Sequence, residues 1–192
     1  MKYIFFTLIS ILFFSCKNSS EKKETLETSS EIKIELNVIV PDTIDDDMML
    51  LGIINRDGFK NDLFSEWYKV NFNDHILDTT TVEALKPKLK DIYIKVFMGT
   101  WCSDSQREIP ALYKILGEAE YNYNNLEMIA VSHEKETPDH LEEGMDIQYV
   151  PTIIFYKEEK EIGRFVEFAQ ENLEKDILAI LSETGYKHSY ED

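Results

Sequence analysis

The chain has 192 residues, 43% of them hydrophobic and 12% aromatic, which suits one compact domain with extensions rather than two separate cores. Lysine and arginine total 20 against 37 aspartate and glutamate, a formal net charge of −17. So acidic a surface repels phosphate backbones, and nucleic acid is not an expected partner.

Residues 1–16 combine a basic Lys2, an apolar run from Tyr3 to Phe14 and a small Ser15 before Cys16, the layout of a secretion signal. The run is shorter than the about 20 residues a membrane-spanning helix needs, so cleavage is expected over an uncleaved anchor. The segment resembles a bacterial lipoprotein signal, in which the cysteine receives a diacylglycerol and becomes the mature N-terminus. That resemblance implies a signal peptide at 1–15, lipidation at Cys16, and an exported protein anchored in the cell envelope, facing the periplasm or the outer surface. An ordinary signal with a chance cysteine is the alternative. Lys17 to Ser30 is polar and nearly free of apolar side chains, as a flexible tether over 16–30 should be. The chain has two cysteines, so acylation of Cys16 leaves Cys102 without an internal disulfide partner.

From Glu31 to Val40, Ile32, Ile34, Leu36, Val38 and Val40 alternate with mostly polar residues, which predicts a half-buried strand ended by Pro41. Three helix-like stretches follow within 42–90. Asp45 to Asp47 before Met48 to Ile54 suit a helix N-terminus, where acidic groups complement the macrodipole. Phe64, Trp67, Tyr68 and Phe72 fall on one helical face and read as core. Thr80 to Leu89 contains Pro87 and predicts a short or broken helix. Residues 31–90 are thus expected to form a strand-plus-helices extension packed on a main domain at 91–184, with a tail at 185–192.

The main domain predicts a buried strand over Ile92 to Met98, a helix over Ser103 to Leu116, a second buried strand over Leu126 to Val131, and a loop through Gly144. Then come a hairpin, Thr152 to Tyr156 with Glu161 to Val166, and a helix near Glu171 to Leu181. Strand, helix, strand implies a parallel pair with a right-handed crossover, and the hairpin adds an antiparallel edge. The class is α/β.

Val96-Phe97-Met98-Gly99-Thr100-Trp101-Cys102, leading into a helix that contains Pro110, resembles the active-site segment of thioredoxins. Tyr149-Val150-Pro151-Thr152 is similar to the thioredoxin segment whose proline is cis and faces the active-site sulfur. Over about residues 90–183 this implies a thioredoxin fold, a central mixed sheet flanked by helices. It also implies Cys102 as nucleophile beside Trp101, Pro151 as the cis-proline, and Val150 as a backbone edge for an extended client. At a helix N-terminus, unpaired N–H groups and the macrodipole favour thiolate over thiol. Asp104, close to the sulfur, opposes this.

Two departures from the family pattern narrow the chemistry. Ser105 stands where the resolving cysteine would be, which excludes dithiol cycling and leaves a monothiol Cys-x-x-Ser loop; Ser105 either donates a hydrogen bond to the sulfur or is a plain helix residue. Val96 replaces the buried acid that thioredoxins use as a proton relay. Glu108 and Pro110 match instead the membrane-anchored thioredoxin-like proteins of cytochrome maturation, which makes Glu108 a candidate acid–base residue beside the plainer reading of an exposed helix carboxylate. His75, His133, His140 and His188 are scattered without zinc-ligand spacing, no glycine-rich phosphate loop or Gly-x-Ser-x-Gly elbow occurs, and peroxidase chemistry lacks its upstream residues. No cofactor or metal is expected. Two functions remain in view: monothiol exchange through Cys102 with protein or small-thiol clients, or a redox-inactive peptide-binding module on the same fold.

Overall fold

The computed structural model describes residues 35–191, so Cys16, the signal-like segment and the tether lie outside the described residues. Ten regular elements follow in chain order: β1 (Val38–Asp42), β2 (Asp47–Ile54), α1 (Asp62–Asp74), α2 (Thr79–Leu85), β3 (Ile92–Met98), α3 (Ser103–Glu118), β4 (Leu126–Ala130), β5 (Thr152–Lys157), β6 (Lys160–Val166) and α4 (Leu173–Leu181). The strands form one six-stranded sheet in the order β1-β2-β4-β3-β5-β6. β3 and β4 run parallel, with Val96 opposite Met128, and are joined by α3. Every other neighbouring pair is antiparallel.

The N-terminal extension departs from expectation. Met48 to Ile54 is a strand, not a helix. An apolar run of this length reads equally well as a buried strand or a helix, and the choice is made by pairing: β2 bonds β1 on one side and β4 on the other, with Ile53 opposite Ile129. Asp42 builds the turn between the two strands, its Oδ1 accepting the backbone N–H groups of Ile44 and Asp45, and Asp46 takes the left-handed conformation that aspartate tolerates. Pro41 does not end the first strand but lies within β1. Its missing donor is harmless there because β1 is the edge of the sheet.

Helix starts follow local capping chemistry. Asn61 caps α1 by accepting from Leu63 N–H, Asp78 caps α2 through Thr81 N–H, and Asn172 caps α4 through Lys175 N–H. α2 closes at Leu85, ahead of Pro87, as the proline requires. Trp67 is half-buried at the margin of the core, edge-on to Phe59 at 5.7 Å between ring centroids.

One large apolar cluster joins the helices to one face of the sheet: Phe64, Val82, Leu112 and Ile177 pack on Ile94, Val96, Ile153 and Phe155. Leu50 of β2 belongs to the same cluster, so the hairpin shares the core of the main domain. The opposite face carries a smaller cluster of Phe97, Ile129, Val131, Val150 and Ile154, covered by Leu141, Met145 and Ile147 from the loop between β4 and β5. No described helix is long and apolar enough to cross a membrane.

Leu112 is fully buried on α3 and Ile76 is 90% exposed. Leu112→Ala should therefore cost about 2–5 kcal/mol through lost burial and a residual cavity, whereas Ile76→Ser should stay within about 0.5 kcal/mol, both read from urea unfolding midpoints.

Candidate functional site

β3 ends at Met98 and α3 begins at Ser103, so Gly99 to Cys102 is a short link whose every backbone group must find a partner. Cys102 is the N-cap of α3, its N–H donating to Gly99 O at 3.1 Å and its C=O accepting from Gln106 N–H at 2.9 Å. Thr100 is buried, and its Oγ1 accepts the Leu50 N–H of β2 at 3.1 Å, while its C=O accepts from Gln106 Nε2 at 2.7 Å. The link is thus braced from the N-terminal hairpin on one side and from α3 on the other. Pro110 sits inside α3, where it supplies no N–H to the carbonyl one turn back.

The sulfur of Cys102 is half-buried and donates to Val150 O at 3.1 Å. The Val150–Pro151 bond is cis, which turns that carbonyl toward the thiol. Pro151 O in turn accepts from Glu167 N–H at 2.8 Å, and Thr152 Oγ1 donates to Tyr149 O at 2.7 Å, so both neighbours of the cis bond are held. The Val150 side chain is buried in the smaller apolar cluster; what it presents to the sulfur is backbone. Trp101, Cys102, Val150 and Pro151, expected from sequence to share a site, are brought together.

Ser105 is fully buried, and its Oγ accepts the Gly99 N–H at 3.2 Å. The bond seen is to the backbone of the link rather than to the sulfur, so the serine braces the loop. Glu108 is buried rather than an exposed helix carboxylate, and pairs with Arg107 Nε at 2.9 Å. Arg107 also reaches Asp104 at 2.7 Å. Burial pushes the Glu108 carboxyl above the usual range, and the Arg107 guanidinium and the more distant His75 only partly offset this. No hydrogen bond joins Glu108 to Cys102 among the described residues.

The sequence did not mark Asp42, and it offered His133 only as one of four scattered histidines. Trp101 Nε1 donates to Val131 O at 2.9 Å, and the indole rests over Gly99, where a Cβ would lie 2.5 Å from its ring. The His133 imidazole stacks on the indole, 4.1 Å between centroids and 18° from parallel, and the Lys135 ammonium stands 5.6 Å from its centre. His133 Nε2 bonds Asp42 Oδ2 at 2.8 Å. Burial pushes the Asp42 carboxyl up, but the bonds from His133 and from the Ile44 and Asp45 amides outweigh it and hold the group below the usual carboxylate range. An ionised carboxylate only accepts, so His133 carries its proton on Nε2.

The histidines are therefore not all scattered. Asp42, Asp45 and His133 gather ligand atoms within 4.8 Å of one another, though both Asp42 oxygens are already committed to hydrogen bonds. His75 pairs with Glu174 at 2.9 Å, away from the thiol. Nothing local could have found Asp42 and His133, which lie 91 positions apart and meet only when the hairpin pairs with β4.

A family model described as Thioredoxin matches residues 64–178, more than half of the chain. The matched span begins within α1, so it takes in helices that the expected 31–90 extension had set apart from the main domain. A thioredoxin-like protein of Acanthamoeba polyphaga mimivirus is 30% identical over 95 residues, 50% of this chain and 66% of that protein; the chain thus spans a little under two thirds of that relative. Among solved structures, a protein of unknown function from Pseudomonas aeruginosa is 22% identical with a TM-score of 0.34, covering 64% of this chain and 87% of that one. The oxidised form of mitochondrial thioredoxin 3 from Saccharomyces cerevisiae is 20% identical with a TM-score of 0.29, covering 49% and 84%.

Because the folded Glu108 carboxyl keeps its proton to higher pH than the unfolded one, its contribution favours the fold below the unfolded value, about 4.3, and is lost as pH rises through the folded value. Glu108→Gln should therefore lose less stability than the parent between about pH 4 and 7, read from thermal melts across that window; parallel curves would refute the assignment.

Proposed function

The chain belongs to the thioredoxin family, and from that premise we propose that it is a cell-envelope protein that carries out monothiol thiol–disulfide exchange through Cys102. The observation that carries this reading is the placement of a half-exposed thiol at the N-cap of α3 against the cis Val150–Pro151 carbonyl.

In the step proposed, the Cys102 thiolate attacks one sulfur of a client disulfide, the client's S–S bond breaks, and its other sulfur leaves as a thiolate. Ser105 has no sulfur with which to expel the bound client, so release needs an external thiol or the client's own second thiol. That is isomerase-like or glutaredoxin-like chemistry, with no cofactor in the cycle. Clients are disulfide- or thiol-containing proteins or small thiols, and the cis-proline loop supplies backbone groups against which an extended segment can lie. The lipoprotein-like sequence through Cys16 supports attachment to the membrane by a lipid, with the polar stretch after it as tether.

A second reading is a redox-inactive binding module. The Cys102 thiol already engages Val150 O, and Ser105 is used to brace the loop, an arrangement that persists without any exchange. The two readings separate in cells. A tagged chain should give mixed-disulfide adducts on non-reducing gels that vanish with Cys102→Ser, and a lack of any Cys102-dependent adduct would leave only the binding module. Incorporation of an alkyne fatty acid should disappear with Cys16→Ala; unchanged labelling would remove the anchor at that residue.

A further inference from the structure

The sheet order puts β4 and β5 on opposite sides of β3, and the two functional side chains at the end of β3 part along that division. The indole of Trp101 is drawn to the β4 side by its bond to Val131 O. The sulfur of Cys102 is drawn to the β5 side by Val150 O. Trp101 directly precedes Cys102, so a freed indole has only to rotate about its own side-chain bonds to come over the thiol.

What keeps the ring on the β4 side is unusual in its depth. His133 covers the indole face to face at 4.1 Å, and His133 is itself held by Asp42, 3% exposed, with three hydrogen bonds converging on its carboxylate. An aspartate that takes one imidazole nitrogen fixes both the tautomer and the plane of the ring. Here the fixed plane is the one that stacks on the tryptophan. We propose that Asp42 and His133 are positioning residues for exchange at Cys102: they clamp Trp101 on the β4 side of the link and keep its indole from covering the sulfur that an incoming disulfide must reach.

The inference rests on the exchange reading of Cys102 and adds a device to it. The charged and titratable groups facing His133 are Asp42 and Asp45 from the hairpin turn, at 2.8 and 3.8 Å from Nε2, and Lys135 from its own loop, whose Nζ donates to His133 O at 2.7 Å.

The test uses the full chain with Cys16→Ser, so that Cys102 is the only thiol, and Trp67→Phe, so that Trp101 is the only indole. Glutathione disulfide is the probe. Attack by Cys102 forms the protein–glutathione mixed disulfide and releases one glutathione thiolate, so the electrons balance without another reagent. The rate constant is followed from pH 5 to 9 together with Trp101 emission. His133→Ala should lower the rate roughly tenfold, well within what a displaced neighbour can cost an oriented reaction. His133→Phe, which keeps a ring on the indole, should restore most of the rate and return the Trp101 emission toward that of the parent. It also keeps the test informative if His133→Ala does not fold. Asp42→Asn, which weakens the hold on the plane of the imidazole, should lower the rate in the same direction as His133→Ala and shift the Trp101 emission. A reactive parent whose rate and emission profile are unchanged by all three substitutions overturns the positioning role alone. A parent that does not react with glutathione disulfide at any pH overturns the exchange reading, and the positioning role with it.

Discussion

The site depends on the burial of β3. Ile92, Ile94, Val96, Phe97 and Met98 are all buried, with neighbours on both edges of the strand, so the strand cannot slide or tilt without opening two apolar clusters at once. Its last residue therefore delivers Gly99 to Cys102 at a fixed point and heading, and α3 takes up the chain four residues on. A thiol built on such a link inherits the rigidity of the sheet and stands at a helix N-terminus.

The N-terminal hairpin extends that rigidity to the side of the site away from the cis-proline. β2 completes the edge of β4, and from that position Leu50 reaches Thr100 through a backbone N–H. Asp42 reaches His133 from the adjoining turn. A segment that a length-wise reading sets apart from the main domain thus supplies two of the contacts that shape the active-site link. Pro41 on the outer strand, which has no further neighbour among the described residues, also blunts an edge that would otherwise invite strand pairing with another chain.

Ser105 does more than stand where the thioredoxin resemblance expects a second cysteine. The hydroxyl is used as an acceptor for Gly99 N–H, so it satisfies a buried backbone donor that would otherwise be unpaired at a cost of about 1–3 kcal/mol. The loop is thereby tied to α3 through the Ser105 hydroxyl. Glu108, one turn further along, is buried and tied to Arg107, which places its charge in the body of the helix face rather than at the thiol.

Much of this was legible in the residues. The apolar runs of β3 and β5, the tight polar connection that makes a hairpin of β5 and β6, the amphipathic α1, α3 and α4, and the pairing of Trp101-Cys102 with Val150-Pro151 follow from apolar patterning, from proline chemistry and from resemblance to a family whose motifs are short and local. Sequence alone also decided that at most one thiol of the main domain could react, because Ser105 stands where a second cysteine would be. Three things were decided only by tertiary structure. Met48 to Ile54 is a strand because β1 and β4 offer it backbone partners, and an apolar run carries no record of which partners will be present. Ser105 and Glu108 have their roles because of what they are buried against, which spacing along a helix does not state. Asp42 and His133 meet because the hairpin pairs with β4 and carries its turn to the loop beyond that strand; proximity between residues 91 positions apart is a property of the sheet's strand order, to which a local pattern is blind.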